Sequence, residues 1–301
     1  MSIADTSSLT ESCYAIGRPV GEPDSPADAQ QVAQHHELRA AALQLLIECD
    51  PQVKAESTMA LKRLWDSQQL PLESTLRLSS NAAIPGRPSR PTLVAPRELE
   101  RRPMNTLGGR AALIHALTHI EFNAINLALD AVWRFPDMPR EFYADWLQVA
   151  AEEALHFTLL NTYLQTLGHA YGDFNAHNSL WEMAEKTRAD VLARMALVPR
   201  TLEARGLDAT PAVRAKLAQA GDEPAAAILD IILRDEIGHV AIGNRWFAWL
   251  CQLQGVESLS TYRELARRYK APLLKGPFNL EARRAAGFTN KELQALTSLM
   301  P

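Results

Sequence analysis

A chain of 301 residues with 47% hydrophobic side chains holds enough apolar material for one large domain, or one and a half. Its 14 glycines and long Ala/Leu/Glu/Arg patterns favour an all-helical class, and a net charge of −4 argues against a dedicated nucleic-acid surface. No apolar run reaches 18 residues, no basic-then-apolar leader is present, and three scattered cysteines (Cys13, Cys49, Cys251) fit a reducing cytoplasm; a membrane span, secretion and a Cys-bound metal are all disfavoured.

Residues 1–30 are polar and rich in Pro, Ser and Asp, and are expected to be loose. Residues 31–79 form an N-terminal helical segment, with two short helices over 31–66 split at Asp50-Pro51. Residues 80–106 are a linker rich in Pro and Arg. It reads as an extended strap across the helices, with a nucleic-acid contact as the sharper alternative.

The region 107–252 carries the chemistry. Its first helical pattern includes Glu121 and runs to Phe135. Pro136-Asp-Met-Pro139 then stops one helix and starts the next. The second helix carries Phe142, Trp146, Val149, Glu153, His156, Leu160 and Tyr163 at steps of three and four, an apolar stripe with Glu153-Ala-Leu-His156 in its middle. Glu121 and Glu153 both lie about 20 Å from the turn, at about 1.5 Å per residue. They are therefore level across an antiparallel hairpin.

A third helix is interrupted around Glu203 by Pro199, Gly206 and Pro211, so it is expected to kink or end early. Glu182 and Glu185 are rivals to Glu203 there, since Glu185 shares a face with Leu192 and Ala196. The fourth helix starts at Asp222-Glu-Pro224 and repeats the stripe as Leu229, Ile232, Glu236, His239, Gly243, Trp246 and Leu250. Residues 253–301 form a helical extension, in which 275–284 is either a lid over one bundle end or ordinary packing.

With 21 Glu and eight His, chance supplies about half a Glu-x-x-His match, so the bare motif is weak. Its placement is not. Both copies sit on apolar stripes, where carboxylates are costly unless paired or bound to a metal. Glu203 follows Glu121 by 82 residues, and Glu236 follows Glu153 by 83. The halves thus look like two copies of one helix pair, each supplying Glu plus Glu-x-x-His, the pattern of a carboxylate di-metal bundle. Buried Glu–His salt bridges are the plain alternative. Hard carboxylates with two imidazoles suit Fe or Mn.

His115 and His119, spaced i, i+4, are expected to pack or hydrogen-bond rather than ligate. Tyr163 and Trp246 are expected in the core. Glu152 and Asp235 precede the two ligand Glu residues and, one residue off the face, either pair with Arg, orient a His or stay solvated.

Five stretches carry a family resemblance: His119-Ile-Glu-Phe-Asn-Ala-Ile-Asn-Leu-Ala-Leu-Asp130, Ala151-Glu-Glu-Ala-Leu-His-Phe157, Tyr171-Gly-Asp-Phe-Asn-Ala-His177, Leu197-Val-Pro-Arg-Thr-Leu-Glu-Ala-Arg-Gly-Leu-Asp208 and Arg234-Asp-Glu-Ile-Gly-His-Val-Ala-Ile-Gly-Asn244. With these the chain resembles an uncharacterised bacterial family of ferritin-like proteins, a domain of unknown function. More distantly it is similar to the tRNA-modifying non-haem di-iron hydroxylase, whose third helix has a similar Glu-Ala-Arg stretch. One departure is Asn126, where many ferritin-like helices have a second acid. The resemblance implies a ferritin-like four-helix bundle and supports Glu203 as the third-helix ligand. The resulting expectation is a cytoplasmic O₂-activating oxidoreductase with two Fe ions, Mn or a mixed pair being open. Glu121, Glu153, His156, Glu203, Glu236 and His239 serve as metal-binding and catalytic residues. Partners are O₂, an electron donor and a small-molecule or nucleoside substrate, with no membrane and a homodimer allowed. A ferroxidase or peroxide scavenger and a non-catalytic scaffold are the alternatives.

Overall fold

The computed structural model describes residues 37–100 and 102–298. The loose segment expected over 1–30 lies outside the described residues, as do Cys13 and Arg101. Among the described residues the chain is an all-α helical bundle, and the one pairing of extended backbone is a parallel bridge between Leu93 and Ala176.

Helices α1 (Leu38–Ile47) and α2 (Pro51–Asp66) meet at Asp50, whose carboxylate caps α2 by accepting from Gln52 and Val53 N–H groups. They pack on the central hairpin of α3 (Leu107–Arg134) and α4 (Arg140–Thr166), α1 against α3 and α2 against α4. The hairpin turns where the two prolines predict. After α4 a long connection holds α5 (Ser179–Lys186) and leads to α6 (Val191–Leu197), a π-helical stretch (Val198–Glu203) and α7 (Ala204–Gln219). Helix α8 (Glu223–Gln254) then packs against α4, α6, the π-helical stretch and α7. Asp222 caps α8 as expected, and Gly255, at φ 66°, ends it in the left-handed region that a glycine enters without strain. Helices α9 (Ser258–Arg268), α10 (Leu280–Ala285) and α11 (Asn290–Thr297) follow.

The third helix is interrupted at Pro199 as expected, in the form of the π-helical stretch, but not at Gly206 or Pro211, which both lie inside α7. A proline has no N–H to give and its ring crowds the preceding turn. A wider π turn absorbs both without leaving the helical path.

The 80–106 linker lies across the bundle as an extended strap. Gly86 N–H donates to Leu46 O, and a Cβ at Gly86 would stand 1.8 Å from Ile47 O, so only glycine passes there. Farther on, Val94 N–H donates to Ala176 O and Ala176 N–H to Thr92 O, joining the strap to the loop after α4. The 275–284 stretch takes the packing form: Arg283 holds Asp208 at 2.6 Å, and Asn279 donates to Leu207 O, both on α7.

Candidate metal centre

Burial of the apolar stripes on α3, α4 and α8 carries their polar members inward. Glu121, Glu153, His156, Glu236 and His239 are all buried, with Glu153 and both imidazoles wholly inaccessible. One ligand atom from each of Glu121, Glu153, His156 and Glu236 lies within 4.8 Å of the other three, so this group could hold a metal ion. His239 joins it, with Nδ1 2.9 Å from Glu153 Oε1 and 3.9 Å from Glu236 Oε1.

Glu153 is the centre. Its Oε1 faces His239 Nδ1, and its Oε2 lies 3.3 Å from His156 Nδ1, which also stands 3.5 Å from Glu121 Oε2. One carboxylate therefore offers one oxygen to each imidazole. The outer nitrogens are held crosswise: His156 Nε2 lies 3.1 Å from Asp235 Oδ2 on α8, and His239 Nε2 lies 2.8 Å from Glu152 Oε2 on α4. A carboxylate only accepts, so each Nε2 carries the proton and each Nδ1 is aimed into the cluster. Of the three readings open for Glu152 and Asp235, orientation of a histidine is what the structure shows, in both cases on the opposite helix. Asp235 also pairs with Arg234.

Five cluster atoms are buried without a hydrogen-bond partner: Glu121 Oε2, Glu153 Oε1, Glu203 Oε2, Glu236 Oε2 and His239 Nδ1. Some lie within ion-pair distance of one another but lack donor geometry. Glu203 stands at the rim, outside the tight group of four, and senses the Glu153 and His239 charges. Glu182 and Glu185 are excluded from the cluster: both are exposed, and Glu185 pairs with Arg188 at 2.6 Å. The short α5 turns them to solvent while burying Trp181, Met183 and Ala184.

The electrostatics are those of too many acids in a dry space. Burial, and then the Glu153 charge, pushes both Glu121 and Glu203 up to about 8. Glu236 is raised well above the carboxylate range for the same two reasons. Burial opposes ionisation of Glu153 too, but the His239 charge and the His156 hydrogen bond outweigh it and hold Glu153 low. His156 is raised to about 11: burial alone would lower it, and hydrogen bonds to Glu121 and Glu153 prevail. Protons thus supply the positive charge that the carboxylates demand, which is what a cation would replace.

The other singled-out residues do not ligate. His119 Nδ1 accepts from the Tyr171 hydroxyl at 2.9 Å and Nε2 faces His177 O at 3.1 Å; burial lowers this imidazole to about 4. His115 Nε2 accepts from Gly172 N–H, so the Tyr171–His177 stretch is the partner of both. The Tyr163 hydroxyl bonds Asp222, and Trp246 Nε1 donates to Asp145 Oδ2 at 2.7 Å. Asn126 accepts from Lys54 Nζ at 2.5 Å and donates to Phe122 O, so both ends of its amide are engaged outside the cluster. Lys54 is a buried cation whose one signal in the sequence is its place on the α2 stripe, four residues before Thr58.

A family model described as "Protein of unknown function (DUF455)" matches residues 47–294. An "Uncharacterized protein" of Haemophilus influenzae is 50% identical over 233 residues, which cover 75% of this chain and 81% of that one. No solved structure matches the chain. Among the described residues, no helix is long and apolar enough to cross a membrane.

Proposed function

The chain belongs to the DUF455 family of proteins of unknown function, and from its buried cluster we propose a ferritin-like metalloprotein that activates O₂ at two iron ions. Oxidation of a small organic molecule or a modified nucleoside is its reaction class. The observation that carries this reading is the set of partnerless cluster atoms around Glu153, whose two oxygens face two different imidazoles. Glu121, Glu153, His156, Glu236 and His239, with Glu203 nearby, are the residues that would hold the ions, and Glu153 would be shared between the two imidazoles. Two pairs of Glu plus Glu-x-x-His, related across antiparallel helices, make the carboxylate di-metal pattern.

When bound, such a pair supplies electrons and a Lewis-acidic seat for O₂. The chain's own residues do the rest. Asp235 and Glu152 accept hydrogen bonds from the Nε2–H groups and so hold each Nδ1 toward the cluster, where its lone pair would meet an ion. Phe122 and Phe157, which follow Glu121 and His156 in the chain, pack on each other at 5.8 Å and are buried. The donor set of four carboxylates and two imidazoles suits iron or manganese, with the free Cys49 and Cys251 taking no part. A reducing cytoplasm is the compartment this reading assigns.

Elemental analysis of the purified chain tests the centre. About two Fe or Mn per chain are expected, with loss of metal in Glu153→Ala; metal-free protein, or a variant that retains its full complement, overturns the reading. Rapid mixing of the Fe(II) form with O₂ tests the activity. Iron oxidation in large excess over sites would identify a ferroxidase instead. An oxidised compound, found by comparing metabolites and tRNA nucleosides of cells with and without the gene, is the result expected of an oxygenase.

A further inference from the structure

The C-terminal helices line an open cavity of about 530 Å³. Two buried guanidiniums line it, Arg200 (5% exposed) from the π-helical stretch and Arg283 (0%) from α10. Arg200 uses Nη1 on Asn244 Oδ1 at 2.5 Å and Nη2 on Glu292. Arg283 uses Nε and Nη2 on Asp208. That leaves Arg200 Nε and Arg283 Nη1 buried with no partner. Both nitrogens are closed off by their burial, so the two arginines lend positive potential to the floor of the cavity, while the open guanidiniums that could take a carboxylate or phosphate stand at its rim.

The rim adds three exposed cations, Arg263, Arg267 and Lys270, none of which has an ion-pair partner among the described residues. The lining therefore holds five cations against one carboxylate, Glu292, in a chain whose net charge is −4. Between rim and floor the walls are apolar. Leu273 is 87% exposed there, an aliphatic side chain that covers nothing in the chain itself. A cavity of this size matches a small ligand, and apolar walls with a few convergent polar groups are the usual form of such a site.

We propose that this cavity binds a small amphiphilic anion, with its carboxylate or phosphate head on the rim cations Arg263, Arg267 and Lys270 and its aliphatic body along Leu273 and Tyr262. The site is separate from the metal centre and does not depend on how that centre is read.

Calorimetric titration of the full chain tests this, using decanoate and decyl phosphate below their micelle concentrations, with decanol and inorganic phosphate as controls. At least one of the two amphiphilic anions saturates a single site, and its rank against the other identifies the head. Decanol and inorganic phosphate bind at least about tenfold more weakly, since each lacks one half of the recognition. The paired exposed substitutions Arg263→Glu and Arg267→Glu, checked for retained helicity, weaken the anion at least about tenfold. Ala266→Trp, which fills the cavity, removes binding. Glu153→Ala leaves it unchanged, which separates this site from the metal centre. The proposal is overturned if neither amphiphile saturates, if decanol or inorganic phosphate equals them, or if the charge-reversed variant binds as the parent does.

Discussion

An acid precedes the cluster carboxylate in both Glu-x-x-His stretches, Glu152 before Glu153 and Asp235 before Glu236, and each reaches the histidine of the other helix. The pair of crossed contacts gives α4 and α8 a common register as well as fixing each imidazole. Replacing Glu152 or Asp235 with Ala should lower metal affinity about 10- to 100-fold while leaving helicity intact; metal titration by competition with a chelator reads this, and unchanged affinity would show that the contacts are ornamental. Lys54 makes a different case. It donates to Leu46 O, Gly86 O and Asn126 Oδ1, and burial lowers it to about 7 despite the opposing Cys49 and Glu48 charges, with Arg87 adding to the drop. Between about pH 7 and its ordinary value near 10.4 the unfolded chain holds a proton that the folded chain has released. The Lys54 contribution to stability therefore rises with pH across that window, by at most about 1.4 kcal/mol per pH unit. Thermal unfolding at about pH 7 and about pH 9 should show the parent gaining on Lys54→Met; a level difference would mean that the lysine stays charged when folded.

The helices that carry Glu121, Glu153 and Glu236 could be read from the chain because a 3.6-residue period places the carboxylates on stripes with Phe142, Trp146, Ile232 and Trp246, and the paired prolines at 136 and 139 mark the turn. The π-helical stretch could not, because Pro199 and Gly206 carry the same local signal whether a helix breaks or widens. What decides between them is the neighbour: Pro199 lies on Gly243 of α8, where a Cβ would stand 2.5 Å from the proline Cβ. The roles of Glu152 and Asp235 are hidden in the sequence for a like reason, since they depend on the adjacent helix. The Gly243 contact yields a prediction for the element. Gly243→Ala should push the stretch off α8 and destabilise the fold by about 1–3 kcal/mol. Since Glu203 ends that stretch, metal content should fall as well. Denaturant unfolding with metal analysis checks both, and a variant with parental stability and metal would show that Pro199 yields freely. Asp130 is the second tie of this element. It is buried between Arg134 and Arg194, and Arg194 is itself buried on α6. Asp130→Asn leaves Arg194 a buried charge without its counter-ion, which should cost about 3–5 kcal/mol in the same denaturant assay.

Across the whole molecule, the protons in the cluster link metal loading to stability. Glu121 and Glu203, each pushed up to about 8, hold protons in the folded chain that the unfolded chain loses near its ordinary carboxylate value. The folded state therefore binds more protons than the unfolded state between roughly pH 5 and pH 8, and the metal-free contribution of these groups to stability falls as pH rises through that window. A bound cation takes the place of those protons and removes that fall. The stabilisation that metal confers should accordingly widen with pH, by up to about 1.4 kcal/mol per pH unit for each proton displaced. Scanning calorimetry of loaded and chelator-treated protein at about pH 6, 7 and 8 measures the gap in Tm. A gap that narrows, or stays level, means that metal binds elsewhere than among Glu121, Glu153 and Glu203. The pH range also separates the two readings of the cluster. Plain Glu–His salt bridges predict the fall in stability but no response to metal, whereas a di-metal centre predicts both, with proton release on loading that a weakly buffered pH trace records directly.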